Sequence, residues 1–349
     1  MSRVLFRYTG IPLIKEFGNF TGHAGKWCWW CIADILKELG HEIVPLNWNN
    51  ELQPGQGIFD AIFSIQHLDR LGSVSNESTI NIIRLTASNW IHHNLLSLNR
   101  VESLNKRRGC DLQVRRLLPV RDNSSFDIAD HILINGNERS KGTYPKRYWG
   151  KITTMNTCAA NAGKDITLRD FIPEQREFLY HAGSGAIHKG LDLVLEAFAR
   201  HPEWTLHITS NLRGEQDFLK EFKPELDLPN IHYHGWVVVQ SRHFQFLLKR
   251  IHCFILPSCS EGQSPAVATC LTLGLYPIIS RYTGVDLPEG CGIYLDDLTV
   301  DAVEQAVLNL PGDKELLRQV SVLQQDALVK YSRETFRDTM TGYLREWLP

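Results

Sequence analysis

The chain predicts an α/β protein with two doubly wound parallel sheets in separate domains. Three observations carry this. Short apolar, β-prone runs alternate with helical runs through most of the sequence, the pattern of βαβ units and parallel sheets. The 349 residues exceed what one core usually organises, so two domains are expected. One stretch also reads as a complete unit. Cys253 to Pro257 is a buried strand, Ser258-Cys259-Ser260-Glu261-Gly262-Gln263-Ser264-Pro265 a polar turn, Ala266 to Leu273 a helix stopped by Gly274, and Tyr276 to Ser280 the next strand. Ligands of such units sit at strand C-termini beside helix N-termini, where a carboxylate can take neutral hydroxyls and open amides can face an anion.

In the first half, Val4 to Tyr8 reads as the opening strand. Gly10, Gly18, Gly22 and Gly25 punctuate the loop after it, a helix runs on to Leu39, and His41 to Leu46 is the second strand. The loop lacks Gly-x-Gly-x-x-Gly, so dinucleotide binding is not read from it. His23 at the helix mouth has two readings, a ligand contact or a helix cap. Asp60 to Ile65 and Ile80 to Thr86 are further strands, and the polar residues beyond them (His67, Asn89, His92, His93) fall on the cleft side. The basic residues from Arg100 to Arg108, with Arg115, Arg116 and Arg121, read as a solvated helix face. The alternatives for that cluster are an anionic lipid surface or an anionic ligand. Asp127 to Ile134 leads through another strand to Asn137 and Glu138, and Tyr144-Pro145 closes the domain. Ile152 to Leu168 has little apolar periodicity and reads as the link.

In the second half, Phe178 to Ala182 is a strand, Gly183 to Gly190 a glycine-bearing loop, and Leu191 to Phe198 an amphipathic helix. Trp204 to Thr209 and Asn230 to Val237 are strand-like, and His243 to Arg250 is a helix. Gly292 to Leu295 is a last strand, followed by helices over 300–307, 314–331 and 333–348.

Composition excludes several classes. A hydrophobic share of 43% and a charged share of 22% are those of a globular domain. A net charge of -2 offers no basic field for nucleic acid. The start lacks a secretory signal, and no stretch reaches the ~18 apolar residues of a membrane span. Cys28 and Cys31 form a Cys-x-x-Cys inside a helical run with an apolar face, which favours packing over redox chemistry. No Cys/His spacing matches a zinc site. The expected setting is cytoplasmic and reducing.

Two stretches resemble the nucleotide-sugar site of GT-B glycosyltransferases, in particular the retaining glycosyl transferases group 1 with a Glu-x7-Glu signature. One is Ser260-Glu261-Gly262 with Gly274 and Pro277-Ile278-Ile279, and the other is Lys189-Gly190 before Leu191 to Phe198. Asn230 to Gly235 is similar to that group's strand and turn beside the nucleobase, and Asp127 to Ile134 to its Ala-Asp segment. The resemblance covers most of residues 178–310 and is weaker over 1–150. It departs at the second acid, where Thr269 stands. It departs again at the arginine that commonly precedes the lysine, where Gly183 or Ser184 stands.

The resemblance implies a GT-B fold. Residues 1–165 form an acceptor-side domain and 166–330 a donor domain, and the helix of 331–349 packs back toward the first. It implies transfer of a sugar from a nucleotide-sugar donor to an acceptor hydroxyl, with retention of configuration, in polysaccharide or glycoconjugate biosynthesis. Glu261 would orient the sugar, Lys189 would meet the diphosphate, and Thr269 would offer a hydroxyl to the ribose. Glu261, Lys189 and His23 are the expected catalytic residues. Gly22, Ser184, Gly185, Trp236, Val237, Ser260, Gly262, Gln263, Ser264 and Thr269 join Lys189 and Glu261 on the donor side, and Trp236 could equally be core. His67, Asn89 and His92 are the acceptor-side candidates. No suitably placed Asp-x-Asp is present, so neither metal nor further cofactor is expected. Glycan, lipid-linked and small-molecule acceptors stay open, as does peripheral membrane association. Two alternatives stand beside transfer: a GT-B protein that binds nucleotide sugar or glycan without turnover, and a sugar-phosphate epimerase of the same fold.

Overall fold

The computed structural model describes residues 1–8, 10, 13, 23–52, 55–65, 67–120, 123–160, 168 and 176–348. The first domain is a six-stranded parallel sheet. Its strands are β1 (Arg3–Tyr8), β2 (Glu42–Asn47), β3 (Ala61–Ser64), β4 (Ile80–Leu85), β5 (His131–Asn135) and β6 (Ile152–Met155), in the order β2-β1-β3-β4-β5-β6. Its helices are α1 (Ala24–Glu38), α2 (Trp90–Arg108) and the short α3 (Ser124–Ile128) and α4 (Glu138–Gly142). Strand β3 is buried at every residue, as expected of a parallel strand covered on both faces. One face packs on α1 through Trp27, Trp29 and Ile32, and the other on Phe126, Tyr144 and Tyr148.

The second domain repeats the plan with β7 (Glu177–Ala182), β8 (Thr205–Ser210), β9 (Ile231–Gly235), β10 (Ile251–Leu256), β11 (Tyr276–Ser280) and β12 (Ile293–Leu295), in the order β12-β11-β10-β7-β8-β9. Its helices are α5 (Leu191–Ala199), α6 (Gln216–Glu221), α7 (Lys223–Leu226), α8 (Arg242–Leu248), α9 (Pro265–Thr272), α10 (Val300–Leu308) and α11 (Asp313–Lys330). Among the described residues no helix is long and apolar enough to cross a membrane.

The chain then returns to its beginning. Helix α12 (Arg333–Trp347) lays Phe336, Met340, Leu344 and Trp347 into the core beneath α1. Arg337 adds ion pairs to Asp34 at 3.0 Å and Glu38 at 2.6 Å. Cys28 and Cys31 are both fully buried in α1, as helix packing requires.

Two expectations change. Ile152 to Met155, read as link, is the edge strand β6; only its two end residues are buried, so it has no alternating pattern to reveal it. The basic cluster is not a solvated face. Arg100 Nη2 grips both oxygens of the fully buried Asp192 carboxylate at 2.9 and 2.8 Å. Arg107 pairs with Glu196 at 2.9 Å, Arg108 with Glu225 at 2.7 Å, and Arg115 with Asp217 at 2.7 Å. Helix α2 and the segment after it are thus tied electrostatically to α5, α6 and α7 of the other domain. Arg121 lies outside the described residues.

Candidate functional site

Strands β7 and β10 are neighbours in the second sheet, so the loop after β7 and the turn after β10 lie side by side. Their C-terminal ends face the first domain, the usual place for a ligand crevice in such sheets. There Lys189 Nζ donates to Glu261 Oε1, and Ser258 Oγ donates to the same oxygen at 2.8 Å. Both side chains are close to buried, at 10% and 11% exposure. Burial alone would raise the Glu261 pKa. The Lys189 ammonium, with Arg116 beyond it, outweighs burial and brings it down to about 2. Glu261 is therefore a carboxylate whenever the protein is near neutral pH, and Lys189 is its counter-ion.

His188, one residue before the lysine, links this pair to the first domain. Its Nε2–H donates to the Ser260 carbonyl at 2.7 Å, since a carbonyl can only accept. That leaves Nδ1 to accept from Ser97 Oγ on α2 at 2.9 Å. Burial brings this imidazole down to about 3, so it is neutral.

The turn bearing Glu261 is itself docked on the first domain. Ser88 and Ser260 share a hydroxyl–hydroxyl bond, and Ser140 Oγ donates to the Gly262 carbonyl at 2.6 Å. The Thr157 amide donates to Gln263 Oε1 at 2.6 Å. A side chain at position 262 would bring Cβ within 2.6 Å of the Thr86 carbonyl and 2.7 Å of the Asn135 carbonyl, so only glycine lets the turn approach the ends of β4 and β5. Beside it, Ser88, His92, Arg139, Ser260, Glu261 and Tyr282 line a small gap between the domains. On the first-domain side of Ser88 opens a hollow of about 160 Å³, lined by Arg84, Thr86, Trp90, Leu118 and Tyr144 among others.

The expected site residues divide. Lys189, Glu261, Ser260, Gly262 and His92 are brought together. Ser184 is exposed on the loop beside them. Trp236 is 52% exposed and lies over His181 with ring centroids 6.2 Å apart, so it is not core. Val237, in contrast, is buried in the second core and offers no contact surface. Ser264 caps no amide; its hydroxyl is buried and has no partner among the described residues.

Gln263 and Thr269 turn from ligand candidates into inter-domain contacts. Gln263 Nε2 donates to Asn156 Oδ1 at 2.7 Å, while Thr269 Oγ1 donates to the Pro265 carbonyl at 2.7 Å and accepts the Ala160 amide at 3.0 Å. Both hydroxyl functions of Thr269 are thereby spent, and the residue is buried. The Gly185 amide is also taken: with that of Ala186 it donates to the Glu215 carboxylate, at 2.6 and 2.9 Å. The Gly185 amide, expected on the donor side, is thus engaged within its own domain.

The remaining candidates are local. His23 Nδ1 accepts the Lys26 amide at 3.3 Å and caps α1, the plainer of its two readings. Asn89 is buried and caps α2 by accepting the Ile91 amide at 3.0 Å, so it does not face the cleft. His67 opens the 3-10 turn Leu68–Val74 with φ 56° and lines none of these cavities. Gly22 lies outside the described residues. Sequence reasoning missed Ser88, Ser97, Ser140 and Glu215, which act only through partners distant in the chain.

Residues 176–313 match the family described as Glycosyl transferases group 1. No curated protein matches the chain by sequence. Among solved structures, the chain is similar to HepE of Anabaena, solved with UDP and glucose, at 12% identity and TM-score 0.63, over 99% of this chain and 100% of that one. It is similar to sucrose-phosphate synthase from Thermosynechococcus elongatus at 12% identity and TM-score 0.63, over 99% of each chain. The lipopolysaccharide outer core galactosyltransferase WaaB, at 11% identity, covers 99% of this chain and 100% of its own with TM-score 0.55. The chain has the two-domain GT-B fold of these structures, and its residues 176–313 match Glycosyl transferases group 1.

Proposed function

We propose that this protein moves a sugar from a nucleotide-sugar donor to an acceptor hydroxyl, with retention of configuration and without a bound divalent metal. The observation that carries the reading is the Lys189–Glu261 pair at the inter-domain crevice. One site thereby offers a cation for a leaving diphosphate and a carboxylate for sugar hydroxyls. A leaving diphosphate gains negative charge in the transition state, and a fixed ammonium in a nearly dry crevice stabilises that charge. Glu261, ionised and fixed by Ser258, accepts hydrogen bonds from neutral hydroxyls and so orients the sugar. Similar structures solved with UDP and with UDP-glucose make uridine diphosphate sugars the first donors to try. The acceptor enters from the first domain, through the hollow beside Ser88 and Trp90. Glycans, lipid-linked glycans and small molecules are the acceptor classes to screen, and pathway and cellular compartment follow from which of them reacts.

The test is donor turnover, with and without chelator, by native protein and Lys189→Ala. We expect release of nucleoside diphosphate by the native protein, unaffected by chelator, and a loss of about a hundredfold or more in the variant. No turnover of any donor by native protein, or full activity in Lys189→Ala, would overturn the reading.

A further inference from the structure

An anion entering this crevice meets receptors that are already engaged. Lys189 is paired with Glu261, and the Gly185 and Ala186 amides are held by Glu215. A further cation reaches the lysine loop from the other domain. Arg100, Arg107, Arg108 and Arg115 each have a carboxylate partner; Arg116, next in line, has none among the described residues.

Arg116 is also placed with care. Residues 110–120 form neither helix nor strand, yet they run as a strap along α2. Asn105 exchanges two hydrogen bonds with the Leu112 backbone, both 2.9 Å, and Asn94 two with the Leu118 backbone, both 2.8 Å. Between these clamps, the His93 Nε2–H donates to the Arg116 carbonyl at 2.9 Å. The Arg116 side chain then crosses the domain boundary onto the donor loop. A Cβ built on Gly185 would stand 2.6 Å from Arg116 Cγ and 2.9 Å from its Cδ, so the loop is glycine where the arginine stem lies on it. Arg116 lines a cavity together with Gly185, His188 and Glu215. Its charge reaches Glu261 and His188.

We propose that Arg116 is a second cation of the donor's diphosphate site, presented across the domain boundary to work with Lys189. The inference rests on the proposed function, since it needs a diphosphate at the Lys189 loop. It assigns the strap a purpose: a donor held by Lys189 from one domain and Arg116 from the other binds tightly only when the two are docked. A guanidinium suits this task because its fork of donors matches phosphate oxygens in pairs.

The test is isothermal titration of UDP, GDP, ADP and inorganic pyrophosphate into native protein, Arg116→Met, Arg116→Lys and Lys189→Ala, at two salt concentrations. Methionine keeps the apolar stem on Gly185 while removing the charge, so melting of the unliganded variant should match native protein. We expect Arg116→Met to weaken the best nucleoside diphosphate by about ten- to a hundredfold, the usual worth of a hydrogen bond to a charged group. Its affinity should also depend less on salt, and Arg116→Lys should fall between. Native affinity in Arg116→Met together with a loss in Lys189→Ala would overturn the role of Arg116 alone. Unchanged affinity in both would overturn the diphosphate reading of the loop, and this inference with it.

Discussion

Replacing Glu261 by glutamine should make the protein bind nucleoside diphosphate more tightly while it loses turnover. The opposite signs follow from the geometry. Lys189 donates to Glu261 Oε1, so a diphosphate must draw the ammonium away from a carboxylate. The direction of that competition shows in Glu261 itself. Its pKa stands at about 2 against an ordinary 4.5, roughly 2.5 units, or about 3 kcal/mol favouring the ion. Lys189 is the largest stabilising cause, but Ser258 and the other charges stay when it turns away. Giving up a hydrogen bond between charged groups costs about 1.5–3 kcal/mol, so the diphosphate is opposed by about tenfold or more in affinity. Glutamine removes that competition. Titrating nucleoside diphosphate into Glu261→Gln should therefore show about tenfold tighter binding than native. Turnover of the nucleotide sugar should fall by about a hundredfold or more, because the fixed acceptor for sugar hydroxyls is gone. Weaker or unchanged diphosphate binding in a variant that still melts cooperatively would refute the idea that this pair guards the phosphate site.

Two further outcomes concern stability. Arg100→Ala leaves the buried Asp192 with the 3.0 Å contact from Arg107 as its one cation among the described residues, and should cost about 2–4 kcal/mol in urea unfolding; a loss under ~0.5 kcal/mol would mean the pair contributes as little as an exposed one. Acid should destabilise the fold well before the carboxylates titrate. Burial brings His181 down to about 4 and His188 down to about 3 from an ordinary 6.5, so the unfolded chain takes up protons first and stability falls as pH drops through 6.5. By pH 5 the loss should be about 2 kcal/mol for each group, and urea midpoints that do not move between pH 7 and pH 5 would contradict it.

What the sequence revealed was local. Lys189 and Glu261 were readable because each sits in a strand–turn–helix unit whose pattern is written within about a dozen residues, and strand order then brings the units together. The apolar stripe of α12 was readable at helical spacing, its return to the first domain was implied by the resemblance, and α1 as its seat appeared only in the structure. What failed had its cause far away. The arginines of α2 look like a solvated face until the acids of α5 to α7 are placed opposite them. Ser88 and Ser260 are 172 positions apart, and neither has a neighbour in sequence that hints at the other. Thr269 looked like a hydroxyl awaiting a ribose, yet the Ala160 amide that occupies it belongs to the passage between domains. Strand β6 escaped because an edge strand with two partly exposed residues carries no alternation to detect.

These contacts bear on how the site can work. The turn that holds Glu261 is not a finished feature of the second domain; Ser260, Gly262, Gln263 and Thr269 are each bonded or packed against the first. His188 joins both the turn and Ser97, so the residue beside Lys189 is fixed by the same docking. Any change in the angle between domains must therefore shift the carboxylate, the ammonium and the hollow beside Ser88 together. A donor that wedges into the crevice has to offset the bonds it displaces, and it can do so only through contacts with both domains, because a ligand shifts an equilibrium by no more than its differential affinity for the two states. Lys189 alone would bind a diphosphate as well in an open arrangement as in a docked one. A cation contributed by the first domain would not, and on that difference the coupling between donor binding and domain docking depends.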